Sequence, residues 1–270
     1  RVITYSATLD VPVETATLVT DLLIAERRRR GTGVGSRAAS ARTQALLVLR
    51  WFREDTGMPT LARDAGVSTA TGYRYLHEGI DVLAAAAPDL REVLEAGQAA
   101  GWTHVVLDGT LIRTDRCRTK NPDTGPDLWF SGTHKAHGGN VQIVSDPDGH
   151  PVAVSEVEPG SVHDLAAARR TGFLGAVYAA AALLGLSALA DKGYHGAGAG
   201  VLTPTKGSGL HSDNLTRNRL IGCLRAPGER GIALLKTRWK ALGRIRLGPQ
   251  RIGVIAKAAL VLTNAERPIR

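Results

Sequence analysis

The sequence predicts an α/β domain that follows an all-α domain. Short apolar segments typical of β-strands cluster in residues 104–155 and 186–204, with helical patterns between and after them. Residues 38–83 instead place their apolar side chains at the spacing of helices. A chain of 270 residues is long enough for each part to bury its own core.

The composition is that of a soluble globular protein, with 43% apolar and 22% charged residues, which excludes disorder on a large scale. Cys117 and Cys223 are too few for a disulfide framework, so we expect a reduced, cytoplasmic setting. The first 20 residues lack the pattern of a signal peptide. Residues 173–190 form an uncharged run that is rich in Ala, and we expect a helix followed by a buried strand there, with no membrane span.

The charge is distributed unevenly around a net value of +9. Residues 81–206 contain 10 Lys/Arg and 14 Asp/Glu, whereas residues 207–270 contain 13 and 3. A basic region beside an acidic centre suits a polyanion such as DNA, although a solvated basic surface gives the same count. The candidates for phosphate contacts in this region are Lys236, Arg238 and Lys240.

The first 36 residues contain a predicted helix over 14–30, four consecutive arginines and the glycine-rich stretch 31–35. We interpret the glycines as a hinge because no Lys-Ser/Thr pair follows them, as it would in a phosphate-binding loop. The predicted division is therefore an N-terminal segment (1–36), a helical domain with a linking helix (37–100) and an α/β domain (101–270).

Residues 61–78 have the spacing of a helix-turn-helix. A short helix over 61–65, with Thr60 as its expected N-cap, leads into a glycine turn at 66–68, and Ser68 then caps a helix over 69–78. A three-helix bundle without a DNA role has the same pattern. If the second helix enters the major groove, the side chains facing DNA are those of Thr69, Thr71, Tyr73 and Arg74.

Within 101–270 the apolar pattern predicts strands interrupted by a hairpin turn at 146–149. The predicted strands are 104–107, 111–112, 140–144, 151–154 and 186–190, and the predicted helices are 162–170, 173–185, 215–242 and 252–262.

Three carboxylates are the candidate catalytic residues. Asp108 and Asp191 each follow a short apolar strand and are themselves followed by glycine, where open α/β sheets place their sites. Taken singly, each also fits an aspartate that caps a turn. Glu229 comes just after a Pro-Gly pair and is expected in the first turn of a helix, where the helix dipole also favours an acid.

The chemistry of these side chains indicates a metal site. Carboxylates without a Cys/His set suit Mg²⁺ or Mn²⁺, and two such ions catalyse in-line phosphoryl displacement. His134 and His137 are spaced for metal ligation, but they lie in a glycine-rich loop that we interpret as non-metal. A Ser-His-Asp triad is excluded because the chain lacks a nucleophile elbow.

Several motifs together resemble the DDE-superfamily transposases of bacterial insertion sequences, in the insertion-sequence-five group related to the Harbinger elements. The resemblance extends from about residue 40 to the C-terminal helix. It depends on the order and spacing of 108–110 (DGT), 131–142 (SGTHKAHGGNVQ), 159–164 (PGSVHD), 191–194 (DKGY) and 225–236 (RAPGERGIALLK).

The resemblance implies a ribonuclease-H-like catalytic domain behind an N-terminal helix-turn-helix domain. Asp108, Asp191 and Glu229 then match the family's two aspartates and glutamate, which hold Mg²⁺ or Mn²⁺, most often as two ions. It also implies binding to the inverted-repeat ends of an element in double-stranded DNA, cleavage there, and joining of the 3′-hydroxyls to target DNA. A homodimer or larger assembly in the bacterial cytoplasm, on the nucleoid, is expected.

Two alternatives share most of these features. A non-enzymatic DNA-binding regulator, or an inactive copy descended from a transposase, keeps the helix-turn-helix without catalysis. A repair nuclease keeps the site and differs in substrate.

Glu229 is the least regular match to the family, because residues 226–228 (APG) interrupt a stretch that is expected to be helical. Glu156 and Glu158 are the other candidates for the third carboxylate. Both precede Asp191 in the sequence, whereas Glu229 follows it.

Overall fold

The structure, a computed structural model, describes residues 7–122, 125 and 127–267. The chain is helical up to Ala99, and the helix expected over 14–30 is present. The helices of this part are α1 (Val13–Arg29), α2 (Ala41–Glu54), α3 (Met58–Asp64), α4 (Thr69–Ala85) and α5 (Leu90–Ala99).

The remainder combines a mixed sheet with further helices, an α/β architecture compatible with a ribonuclease-H-like domain. The sheet has the order β2-β3-β1-β6-β7, and β4 and β5 both pair with β3. The strands are β1 (Val105–Arg113), β2 (Phe130–Ser131), β3 (Ala136–Ser145), β4 (Pro151–Val154), β5 (Glu158–Pro159), β6 (Ala188–Leu189) and β7 (Val201–Leu202). The helices are α6 (Asp164–Arg170), α7 (Phe173–Leu184), α8 (Ser212–Arg238) and α9 (Ile252–Glu266).

Of the two N-caps predicted from the sequence, one is confirmed and one is wrong. Ser68 caps α4 as predicted, its hydroxyl accepting from the backbone N–H of Thr71 at 3.2 Å, and Gly66 adopts a left-handed φ of +67° in the preceding turn. The prediction is wrong for α3, which begins at Met58 after Gly57, so Thr60 lies inside the helix. Pro59 is tolerated in the first turn because the N–H it lacks would have no partner there.

Strand β1 is longer than the sequence predicted. The break predicted between the strands 104–107 and 111–112 is wrong, because Asp108 pairs with Ile143 of β3 and Gly109 pairs with Gln142. An added Cβ at position 109 would lie 2.4 Å from a carboxylate oxygen of Asp164, so glycine leaves room for that side chain. Asp108 therefore lies within a strand and not at its end.

Helix α8 is continuous over most of the predicted range 215–242, so Glu229 lies in its interior and not in a first turn. It runs through Pro227, and glycines on the same stretch allow the helix to approach the sheet closely. A Cβ on Gly228 would lie 2.7 Å from Val106 in β1, and one on Gly231 would overlap the carbonyl oxygen of Gly149. The dipole explanation for Glu229 is therefore wrong. The helix also ends at Arg238, before the expected limit at 242.

The uncharged run 173–190 forms the predicted helix and buried strand, α7 and β6. Gly185 ends α7 in the left-handed conformation, with φ of +68°. Among the described residues, no helix is long and apolar enough to cross a membrane.

The N-terminal helices share a hydrophobic core with the C-terminal helices. Buried side chains of α1, α2 and α4 pack in one cluster with those of α9 and the end of α8. Trp239 is fully buried at this junction, where its ring meets Phe52 edge-on at 6.3 Å and its indole N–H donates to Thr263 at 2.8 Å. The division at residues 36 and 100 stays a prediction.

Candidate active site

Asp108 lies on β1, and Asp191 comes two residues after the end of the neighbouring parallel strand β6. β1 and β6 pair in the register Val105 with Ala188 and Val106 with Leu189, so two further residues bring 108 opposite 191. The Asp191 carboxylate caps a 3-10 turn, accepting from the backbone N–H of Gly193 at 2.7 Å. The parallel register therefore brings together two acids that are 83 positions apart in sequence.

Glu229, on α8, is linked to Asp108 through the side chain of Arg225. The two residues are four apart on the helix, and their side chains form an ion pair at 3.3 Å. The same guanidinium lies 3.9 Å from the carboxylate of Asp108. Arg225 is buried, whereas the side chain of Glu229 is 57% exposed. In the sequence Arg225 stands out only as part of a motif, and the structure shows that it connects two of the three candidate acids.

The surroundings of Asp108 favour its protonated form. Burial raises the pKa of this carboxyl from 3.8 to about 6, against the attraction of Arg225, and the negative charges of Asp191, Glu229 and Asp164 raise it further. Such an excess of negative charge is relieved by a bound cation. The raised pKa is consistent with a metal-binding role.

The donor chemistry of the site fits Mg²⁺ or Mn²⁺, since the converging groups are carboxylates. In the described ranges, however, no three His, Cys, Asp or Glu side chains lie close enough together to hold one ion. Arg225 lies between Asp108 and Glu229 and keeps these two acids apart. Binding of a divalent ion therefore requires the side chains around Arg225 to rearrange.

The raised pKa gives a prediction about stability. The folded state holds the Asp108 proton more tightly than the unfolded chain, so this group's contribution to stability is lost as the pH rises from about 4 through about 6. We expect Asp108→Asn to increase the free energy of unfolding at pH 8 in EDTA by up to about 3 kcal/mol, and by little at pH 4. Denaturant melts at both pH values measure this; a variant that is less stable at pH 8 would contradict it.

The three basic residues predicted to contact phosphates lie in different environments. Lys236 is partly buried, and its ammonium donates to the Thr110 hydroxyl at 2.6 Å and to the Leu111 carbonyl at 3.0 Å. Burial, with some repulsion from Arg113, lowers the pKa of Lys236. Arg238 pairs with Asp10 and Glu266, and Lys240 is exposed in the 3-10 turn after α8.

The residues predicted to face DNA lie on the first two turns of α4. Thr69, Tyr73 and Arg74 are exposed, and Thr71 is half-buried. Arg74 donates to the hydroxyl of Thr71 at 2.8 Å. On the same helix Tyr75 and Leu76 are buried, whereas Ala70 is exposed.

A buried polar cluster next to the acids was not predicted. Asp164, Asn140, Gln142 and Tyr194 are joined by hydrogen bonds on one face of the sheet. Burial raises the pKa of Tyr194 well above its usual value, and the charges of Asp164, Asp108 and Asp191 add to this. One signal was available: Asn140 and Gln142 are polar residues at alternate positions of an otherwise apolar strand, so both face the same side.

The comparisons with known proteins give one match. The family model of the DDE superfamily endonucleases matches residues 107–264, more than half of the chain. No curated protein and no solved structure matches. The matched range begins on β1 beside Asp108 and ends within α9, so it includes all three candidate acids.

A mixed sheet with one carboxylate on β1 and another just after the neighbouring strand β6, followed by a helix with a further acid, fits a nuclease. The chain belongs to the DDE superfamily endonuclease family. This membership supports a nuclease function of the transposase-like kind, with DNA as the general class of substrate and divalent metals as the general cofactor.

Proposed function

We propose that the chain is the transposase of a bacterial insertion sequence, in the insertion-sequence-five group related to Harbinger. It binds the inverted-repeat ends of its element, cuts phosphodiester bonds there and joins the 3′-hydroxyls to target DNA. The observation that supports this most is that Asp108 on β1 experiences the charges of both Asp191, which follows the neighbouring strand β6, and Glu229, which is linked to it through Arg225, inside the matched endonuclease region.

In this proposal Asp108, Asp191 and Glu229 hold Mg²⁺ or Mn²⁺. When bound, two such ions activate the attacking oxygen and stabilise the leaving oxygen of an in-line displacement. The burial of Asp108 reduces the screening of charge around the cleavage position. Arg225 balances part of the negative charge of the acids before an ion binds.

Residues 37–100 are proposed to bind the element ends through a helix-turn-helix formed by α3 and α4. The turn at Gly66, the Ser68 cap and the exposed polar side chains at the start of α4 support this. The proposed partner is double-stranded DNA, held by a homodimer or larger assembly during synapsis. The proposed location is the bacterial cytoplasm, on the nucleoid.

Arg74→Ala tests the recognition helix. If Arg74 contacts a base, its removal is expected to weaken binding to the element ends by about 1–3 kcal/mol and to relax the preference at one base position. The matched control is Arg91→Ala, which removes an exposed arginine on α5. Fluorescence anisotropy with end and scrambled duplexes measures both. Equal losses in the two variants would show a charge effect without base recognition.

The exposed cations after α8 are proposed to hold phosphates without reading sequence. We expect the combined change of Lys240, Arg244 and Arg246 to glutamine to reduce the slope of log K against log [salt] by about 0.9 for each phosphate that the variant no longer neutralises. The ratio of specific to non-specific binding should stay constant. Arg244 and Arg246 also pair with Asp115 and Asp55 at the surface, so thermal melts serve as the folding control. An unchanged slope would assign these cations to the surface ion pairs alone.

The direct test of the proposed function is cleavage of DNA that carries the element ends, taken from the sequences that flank the gene. We expect the full chain to cut at the ends in Mg²⁺ or Mn²⁺, and not in EDTA or on scrambled ends. Metal-dependent cutting without preference for the ends would favour a repair nuclease. Tight binding to the ends without cutting would favour the regulator, or an inactive copy.

A further inference from the structure

The turn that holds Asp191 is anchored to the protein interior by one side chain. In this turn Lys192 and Gly193 are exposed, and Asp191 is half-buried. Tyr194 is fully buried, and its backbone N–H donates to the Asp191 carbonyl at 3.2 Å. The position of the Asp191 carboxylate therefore depends on how firmly the Tyr194 ring and hydroxyl are held.

A network of hydrogen bonds, here called the Tyr194 network, holds the Tyr194 hydroxyl in place. This hydroxyl donates to the side-chain oxygen of Gln142. The Gln142 amide donates to the side-chain oxygen of Asn140 at 3.0 Å, and the Asn140 amide donates to the carboxylate of Asp164 at 2.7 Å and to the Val162 carbonyl at 3.0 Å. Gln142 and Tyr194 are fully buried, and Asn140 is buried.

The direction of the hydrogen bonds in this network is determined at Asn140. The Val162 carbonyl only accepts, so the Asn140 amide nitrogen must face Val162 and Asp164, and its oxygen must face Gln142. Gln142 must then turn its nitrogen to Asn140, which leaves its oxygen for the tyrosine hydroxyl. A network in which each group has one possible orientation is rigid, and it gives the Tyr194 ring one position.

The Tyr194 network also connects Asp191 to the strand that contains Asp108. Gln142 is the cross-strand partner of Gly109, the residue next to Asp108. The side chain of Asp164 lies beside that glycine, with a carboxylate oxygen 2.4 Å from where a Cβ would stand. The network is therefore attached to β1 and β3 at one end and to the turn of Asp191 at the other.

We propose that Tyr194, Gln142, Asn140 and Asp164 are positioning residues, which hold the Asp191 carboxylate level with that of Asp108 and so set the affinity of the site for a divalent ion. This inference rests on the proposed metal site and adds residues that act on it through Asp191. It also gives three of the sequence motifs, 131–142, 159–164 and 191–194, one shared physical task.

Tyr194→Phe in the full chain is the test, with Mn²⁺ affinity measured by electron paramagnetic resonance. Loss of a partner outside the ligand shell typically lowers metal affinity about 10- to 100-fold, and we expect a loss in this range. A hydroxyl that serves folding alone would lower the melting temperature and leave the Mn²⁺ affinity of the folded protein unchanged. That result would overturn the proposal.

Tyr178→Phe is the matched control. The Tyr178 hydroxyl donates to the Ala197 carbonyl, in the loop that follows the turn of Asp191, but Tyr178 is not part of the Tyr194 network. We expect it to keep the wild-type Mn²⁺ affinity, and an equal loss in both variants would overturn the proposal. If Tyr194→Phe does not fold, Gln142→Met replaces it: this change keeps the length of the side chain, removes its hydrogen bonds to Asn140 and Tyr194 and adds no charge. Folded Gln142→Met protein with wild-type affinity would also overturn the proposal.

Asp191→Asn separates this inference from the proposed function. If Asp191→Asn loses Mn²⁺ binding and Tyr194→Phe keeps it, the proposed metal site stands and the positioning role of the Tyr194 network is wrong. If Asp191→Asn itself binds Mn²⁺ as the wild type does, the proposed metal site is wrong, and so is the positioning role.

Discussion

Asp108→Asn and Asp191→Asn are each expected to abolish Mg²⁺-dependent cleavage at the element ends. Both changes remove a negative charge from the position where the ion is proposed to bind, and an amide is a poor ligand for Mg²⁺. Loss of an outer-shell partner alone costs about 10- to 100-fold, so loss of a ligand is expected to cost at least about 100-fold. DNA binding should remain, since neither residue lies on α4 or after α8.

The measurement is nicking of a labelled duplex that carries the element ends, with anisotropy on the same duplex as the binding control. In Asp191→Asn the side-chain oxygen can still accept from Gly193, so the turn is expected to persist. The Asp108 variant is expected to be more stable than the wild type at pH 8, which makes misfolding a poor explanation for reduced activity. Cleavage within a few-fold of wild type in either variant would refute the metal site.

Glu229→Gln is expected to reduce cleavage by a similar factor, for a different structural reason. Glu229 is on a helix and is more exposed than Asp108, and it pairs with Arg225. Glutamine keeps the length of the side chain while removing the charge. Because Arg225 is buried and then keeps only Asp108 as a charged partner, a moderate loss of stability is expected, and the thermal melt serves as the folding control. The loss should appear in the dependence of the cleavage rate on Mn²⁺ concentration.

Glu156→Gln and Glu158→Gln are the controls for Glu229, since both residues are alternative candidates for the third acid. Glu156 pairs with Lys257 on α9, and Glu158 pairs with Arg170 on α6. Both variants should keep substantial activity. If Glu229→Gln cuts at a near wild-type rate, the assignment of the third ligand is wrong while the two aspartates can still stand.

Local patterns in the sequence were enough to predict most helices and the hairpin at 146–149. The predictions failed where tertiary contacts override local preference. Asp108-Gly109 has the composition of a turn, yet Asp164 packs over the glycine and β3 pairs along both residues. Pro227-Gly228 has the composition of a helix boundary, yet glycines at 228 and 231 bring α8 against β1 and the hairpin.

The candidate site was predictable in its acids and not in their connections. Asp108, Asp191 and Glu229 follow from their sequence contexts and a family resemblance, and the structure brings them to one region. Arg225 and the Tyr194 network were not predicted as parts of the site. Their role depends on which strands pair and in what register, and a single sequence gives no direct measure of this.

The shared core around Trp239 has a geometric consequence for a DNA-cutting protein. Helix α4 packs on α9, and α9 packs on the sheet that holds Asp108. If α4 binds the element ends as proposed, this continuous packing holds it at a constant distance from Asp108. The cut then falls at a constant number of base pairs from the bound sequence, and base pairs inserted between the two move the cut to a different sequence position.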